Sequence, residues 1–78
     1  MRDLVEFVVR ALVDDPDAVR VEEIGESGDV VLEVHVAAGD LGRVIGREGR
    51  VANAIRTLAK AAATAQDEGR VMVEIVED

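Results

Sequence analysis

Nine residues, Gly42-Arg43-Val44-Ile45-Gly46-Arg47-Glu48-Gly49-Arg50, limit the fold of this chain more than any other stretch. Two glycines three apart, Gly46 and Gly49, enclose Arg47 and Glu48. A short apolar turn with Leu41, Val44 and Ile45 on one face precedes them, and a long alanine-rich helical pattern follows. Two helices must therefore meet at a glycine hinge. Glycine lets a foreign backbone come close, and the free amides at the start of the second helix point outward, where an anion is stabilised. Arg43, Arg47 and Arg50 add positive charge at the same place.

The flanking sequence supplies a platform. Residues 3–13 have helical periodicity, with Leu4, Val8 and Leu12 on one face, Val5, Val9 and Ala11 beside it, and Arg2, Asp3, Glu6 and Arg10 facing water. Pro16 stops that helix by disfavouring a helical residue before it. Phe7, the single aromatic, reads as core or interface filler. Residues 18–25 predict a strand with Val19 and Val21 on one side; the step to Ile24 breaks the period of two and predicts a bulge or strand end. Glu26-Ser27-Gly28-Asp29 has turn composition. Residues 30–37 alternate cleanly, Val30, Leu32, Val34 and Val36 against Val31, Glu33 and His35. The two strands suggest an antiparallel hairpin, and His35 reads as a solvated strand histidine without a second ligand nearby.

Asp40 is placed to cap the short helix of Leu41, Val44 and Ile45. Gly42 inside that helix costs about 1 kcal/mol relative to alanine, which points to close packing or close approach of another molecule. The next helix runs from about Arg50 to Ala65, with Val51, Ile55, Leu58, Ala62 and Ala65 as its expected buried stripe. Gln66-Asp67-Glu68-Gly69 is an exit loop. A strand over 70–76 closes the order, with Val71, Val73 and Ile75 on one face, and Glu77-Asp78 reads as a solvated end. A right-handed crossover would leave the strands at 30–37 and 70–76 parallel. The expected architecture is α+β: helix–strand–strand–helix–helix–strand, a three-stranded mixed sheet with helices on one face, in a single domain spanning 1–78.

Composition narrows the function. The chain has 78 residues, no cysteine and a net charge of −8. Thiolate metal sites and disulfides are excluded. No apolar run approaches the roughly 20 residues of a membrane span, and the N-terminus does not resemble a signal peptide, so a soluble cytoplasmic protein is expected. No nucleophile–base pair is visible, so no catalytic residue, cofactor or metal is expected and the chain does not read as an enzyme. The stretch lacks the Gly-Lys-Ser/Thr ending of a nucleotide P-loop. It also joins helix to helix, unlike a dinucleotide fingerprint. Acidity opposes general nucleic-acid binding. Yet Arg43, Arg47, Arg50, Arg56 and Lys60 cluster in one stretch, with Glu48 the only acid among them. With no aromatic platform for stacking bases, the module that fits is a KH domain, whose Gly-x-x-Gly loop clamps about four nucleotides of backbone.

Over essentially its whole length the chain resembles the KhpA family of small bacterial single-KH RNA-binding proteins. The matching features are Leu-Val-Glu-Phe-Val-Val at 4–9, Val-Asp-Asp-Pro-Asp-Ala-Val-Arg-Val at 13–21, the 42–50 segment and Ala-Ile-Arg-Thr-Leu at 54–58. The resemblance implies a type II (prokaryotic) KH fold and single-stranded RNA as ligand. It also implies a cytoplasmic RNA-chaperone role linked to cell-envelope homeostasis and cell shape, and pairing as a homodimer or with a larger KH protein of the KhpB type. By position it implies a loop of Gly46, Arg47, Glu48 and Gly49, flanked by Arg43, Ile45, Arg50 and Asn53.

Two expectations follow. If the loop binds RNA, the double change Gly46→Asp, Gly49→Asp should abolish binding and leave the fold intact. If the chain is chiefly a protein-interaction module, Ala52, Ala59 and Ala63, off the expected stripe, would pack against a partner helix.

Overall fold

The computed structural model describes residues 1–26, 28–66 and 69–77; Ser27, Asp67, Glu68 and Asp78, which fall in the expected turn, exit loop and solvated end, lie outside the described residues. Alternation of β-branched residues sets the sheet. Helix α1 (Arg2–Leu12) leads into the hairpin of β1 (Arg20–Glu26) and β2 (Asp29–Val36). Helices α2 (Leu41–Ile45) and α3 (Arg50–Ala65) follow, and β3 (Arg70–Glu77) completes the sheet. Strand order is β1-β2-β3, with β1 antiparallel and β3 parallel to the central strand. The expected element order and mixed sheet are both present.

Leu32, Val34 and Val36 on β2 are fully buried. They meet Val19 and Val21, Val71 and Val73, and the inner faces of the helices, including Val5, Val9, Val44 and Ile55. Removing such a side chain, as in Leu32→Ala, leaves a cavity and costs about 2–5 kcal/mol. Arg2 fastens α1 to the sheet, its Nε donating to the Val21 carbonyl at 2.7 Å.

Both long helices are rotated from their expected orientation. In α1 the fully buried positions are Val5 and Val9, while Leu4 and Leu12 are each 38% exposed and Ala11 is exposed. In α3 the buried positions are Ala52, Ile55, Ala59 and Ala63; Leu58 is 38% exposed and Ala65 faces water. The physical reason is separation. Alanines let α3 lie close over the sheet, and a leucine in their place would overpack the contact at about 1–3 kcal/mol. The proposed partner-binding face of Ala52, Ala59 and Ala63 is therefore core. Phe7 is not core either: it is 74% exposed.

The β1–β2 register runs without a skip from Arg20↔His35 to Glu26↔Asp29, so no bulge occurs at Ile24. Ile24 simply lies on the opposite face from Val21 and is exposed. His35 is 8% exposed rather than solvated. It lies on the face without helices, as the alternation predicts, but Arg20 on β1 and Val76 on β3 stand in register beside it. Cross-strand neighbours cover it.

Candidate nucleic-acid interface

The hinge between α2 and α3 holds three positive-φ residues, Gly46, Glu48 and Gly49, with Arg47 in a helical conformation between the first two. Gly46 ends α2 at φ 76°, ψ 174°, and its amide donates to the Gly42 carbonyl at 2.9 Å. A Cβ on Gly46 would collide with the Val51 Cγ2 methyl and stand 2.9 Å from the Val51 nitrogen. Glu48 occupies the left-handed region at φ 56°, ψ 26°, unusual for a residue with a long side chain. Gly49 follows at φ 75°, ψ 14°, but a Cβ there would meet nothing within 4 Å. The two glycines thus differ: Gly46 is required by packing and backbone, Gly49 by backbone alone. The double aspartate change can no longer be expected to leave the fold intact, because its Gly46 half drives a side chain into Val51.

Gly49 is the N-cap of α3, and no side chain caps that terminus. The Gly49 and Arg50 amides donate to the Gly46 and Arg47 carbonyls in the turn before α3, so only the amides that follow in its first turn are left for solvent or an anion. Arg47 is exposed, and among the described residues its side chain makes no ion pair or hydrogen bond. Glu48 does not wall off the loop. Its carboxylate lies 3.9 Å from Arg50 Nη2, with both side chains about three-quarters exposed. Such a pair contributes little.

Arg43 is differently placed from what its spacing suggests. Its Nη2 donates to Asp14 Oδ2 at 2.8 Å, and its Nε lies 3.3 Å from Asp40 Oδ1. Asp40 is 3% exposed and occupies the N-cap of α2, yet it makes no cap hydrogen bond to that helix. Its two oxygens instead accept the Asp14 and Asp15 amides, each at 3.0 Å. The Asp14 amide first, then the Asp15 amide and Arg43, hold its carboxyl below the ordinary value against the opposing effect of burial. The knot ties the chain after α1 to the turn before the loop. Gly42, by contrast, is exposed, and a Cβ on it would meet nothing. Its presence owes nothing to packing within the chain.

Ile45 is 38% exposed beside the hinge. Asn53 is exposed on the first turns of α3 and accepts from Arg56 Nη1 at 3.2 Å, while Arg56 Nε donates to the Val73 carbonyl of β3 at 3.3 Å. Further along, Lys60 and Thr64 line a groove with Gly69, Arg70, Val71 and Met72. A polar, basic edge of α3 therefore runs from the hinge to the rim of β3. Arg56, Lys60 and Arg70 lie along this edge. The spacing of positions 53, 56, 60 and 64 already put them on one helical face, but Arg70 reaches it only through the crossover to β3.

Comparison with known proteins places the chain in a family. Residues 2–75 match the family profile described as KhpA/KhpB, KH domain. The chain is 51% identical over 76 residues to the RNA-binding protein KhpA of Caldanaerobacter subterraneus subsp. tengcongensis, covering 97% of this chain and 100% of that one. It is 47% identical to its Clostridium acetobutylicum counterpart, again over 97% and 100%. For that of Chlamydia trachomatis the identity is 38%, over 100% and 99%. Among solved structures, Aquifex aeolicus Era bound to GDP.AlF4- superposes with a TM-score of 0.60 at 15% identity. That match covers 99% of this chain but 31% of the Era chain, so the chain spans about a third of Era and the likeness concerns the fold alone. The profile match takes in every helix and strand that builds the hinge, and the chain belongs to the KhpA/KhpB family of KH domains.

Proposed function

We propose that this chain binds single-stranded RNA by its sugar–phosphate backbone at the Gly46–Gly49 hinge. The observation that carries this reading is an exposed helix N-terminus without a side-chain cap, next to an arginine, Arg47, whose guanidinium no described residue engages. The full-length relatives named RNA-binding protein KhpA support it. Phosphates contact the α3 amides, Arg47 and Arg50. Ile45 and the rim of β3 accept bases, and Asn53, Arg56 and Lys60 carry the strand along α3. Glu48 is exposed beside Arg50, and Arg43 acts by positioning the loop through Asp14 and Asp40. Acting in the cytoplasm as an RNA chaperone, alone or with a KhpB-type partner and in cell-envelope homeostasis, is the role this reading extends to.

RNA titration at several salt concentrations tests it. Each phosphate contact of a single strand contributes about −0.7 to the slope of log affinity against log salt. Arg47→Ala should weaken binding and flatten that slope by about this amount. Gly49→Asp, which meets no steric obstacle, should abolish binding while circular dichroism stays that of the parent. Unchanged affinity in the folded Gly49→Asp protein would reject the hinge as the site.

Self-association is favoured by a different surface from the alanine face. Val8 and Leu12 of α1 face Val51, Ala54 and Leu58 of α3 across an open apolar groove. Phe7 projects from the adjacent edge of α1, with Leu4 also exposed. A second copy related by a two-fold axis would place each Phe7 against the groove of the other, the self-complementary arrangement such symmetry demands.

A further inference from the structure

We propose that the helix-free face of the sheet holds a binding site for a transition-metal dication of the zinc type, formed by Glu22, Glu33 and His35. Strand register builds it. Glu22 of β1 stands directly opposite Glu33 of β2, and His35 lies two residues along β2 on the same face. Glu33 is also in register with Glu74 of β3, so three carboxylates form one cross-strand row. Like charges directly opposite one another destabilise a sheet, and a bound dication removes that cost.

The donor atoms already converge. His35 Nε2 lies 3.1 Å from Glu33 Oε1 and 3.9 Å from Glu22 Oε2. One donor atom from each of the three side chains falls within 4.8 Å of the others. Zinc bonds nitrogen and oxygen at about 2.0–2.2 Å, which sets tetrahedral donors about 3.3–3.5 Å apart. The two separations from His35 Nε2 straddle that range, and the two carboxylates lie within 4.8 Å of each other. The side chains of Glu22 and Glu33 remain 47% and 28% exposed, so they can close around an ion without disturbing the core. Arg20 Nε holds the other oxygen of Glu22 at 2.9 Å, which leaves Oε2 turned toward the imidazole. The imidazole itself is nearly buried on a central strand and is fixed in place. One imidazole with two carboxylates suits zinc and its neighbours better than magnesium or calcium, which prefer all-oxygen shells. Water completes the fourth position. Pairing of β1 with β2 brings Glu22 to His35, and Glu33 lies two residues upstream on the same strand.

The test uses the untagged full chain with Co2+ and Zn2+ as probes. One equivalent of Co2+ should give the intense visible absorption of a four-coordinate ion, and Zn2+ should displace it. Zn2+ should also raise the melting temperature. Loss of an outer-shell partner costs about 10–100-fold in metal affinity; Glu22→Gln and His35→Asn, which remove ligands, should each weaken binding by at least the lower figure. His35→Asn alters a buried position, whereas Glu22→Gln changes an exposed side chain, so the second variant remains interpretable if the first fails to fold. Absence of the four-coordinate spectrum overturns the proposal. Binding that Glu22→Gln leaves unchanged marks an adventitious ion only, and overturns it equally.

Discussion

Replacing each hinge glycine by alanine separates backbone strain from steric conflict. Gly46 sits at φ 76°, ψ 174°, a region essentially reserved for glycine, where another residue costs about 1–3 kcal/mol. Its added Cβ also strikes Val51, and overpacking of this kind costs about 1–3 kcal/mol. Loss of unfolded-state freedom offsets about 0.4–1 kcal/mol. The net destabilisation of Gly46→Ala is therefore about 1–5.5 kcal/mol, a large part of the roughly 4–12 kcal/mol open to a chain of this length. Gly49→Ala has only the left-handed cost of about 1–2 kcal/mol, less the same entropic offset. It should lose about 0–1.5 kcal/mol. Equilibrium urea unfolding, followed by circular dichroism, measures both. Each kilocalorie lowers the melting temperature by about 4–8 °C in a domain this small. A Gly49→Ala protein destabilised as much as Gly46→Ala would refute the distinction and with it the assigned contact to Val51.

Three further outcomes are expected. The Asp40 carboxyl is held below its ordinary value of 3.8, chiefly by the Asp14 amide. Its contribution to stability is thus fully present above that value and lost as pH falls through the lower folded one. Asp40→Asn should be less stable than the parent at neutral pH, with the gap in urea midpoint closing only in strong acid; a gap independent of pH would contradict the charge-based role. Glu48→Gln should tighten RNA binding and steepen its salt dependence if the carboxylate senses the phosphates, and an unchanged affinity would show that it points away. Phe7→Ser, at a position 74% exposed, should alter stability by no more than about 0.5 kcal/mol while shifting light scattering toward monomer. An unchanged dimer fraction would remove the α1–α3 groove from consideration.

Much of the fold was legible because it depends on local rules. Period-two alternation over 30–36 and helical periodicity over 50–65 fix element type within a single segment. The glycine pair fixes where α2 must stop and α3 begin. The hinge residues Gly46, Arg47, Glu48 and Gly49 were legible for the same reason: their conformations are imposed by neighbours in the chain. The outward face of α3 was half legible, since Asn53, Arg56 and Lys60 share a helical side, but only the position of β3 makes that side the wall of a groove.

Sequence by itself determined the elements, their order and the location of the hinge, because steric limits on φ and ψ and the spacing of apolar residues act over a few residues. Tertiary structure alone decided which arc of each amphipathic helix is buried. Both α1 and α3 carry apolar arcs wider than one contact can cover. Packing on the sheet buried Val5 and Val9 on one and the alanines on the other, leaving Leu4, Phe7, Leu12 and Leu58 outside. It also turned Asp40 from a local cap into a tie between distant loops and brought Glu22 to His35, since strand pairing and loop docking join residues that chain proximity cannot.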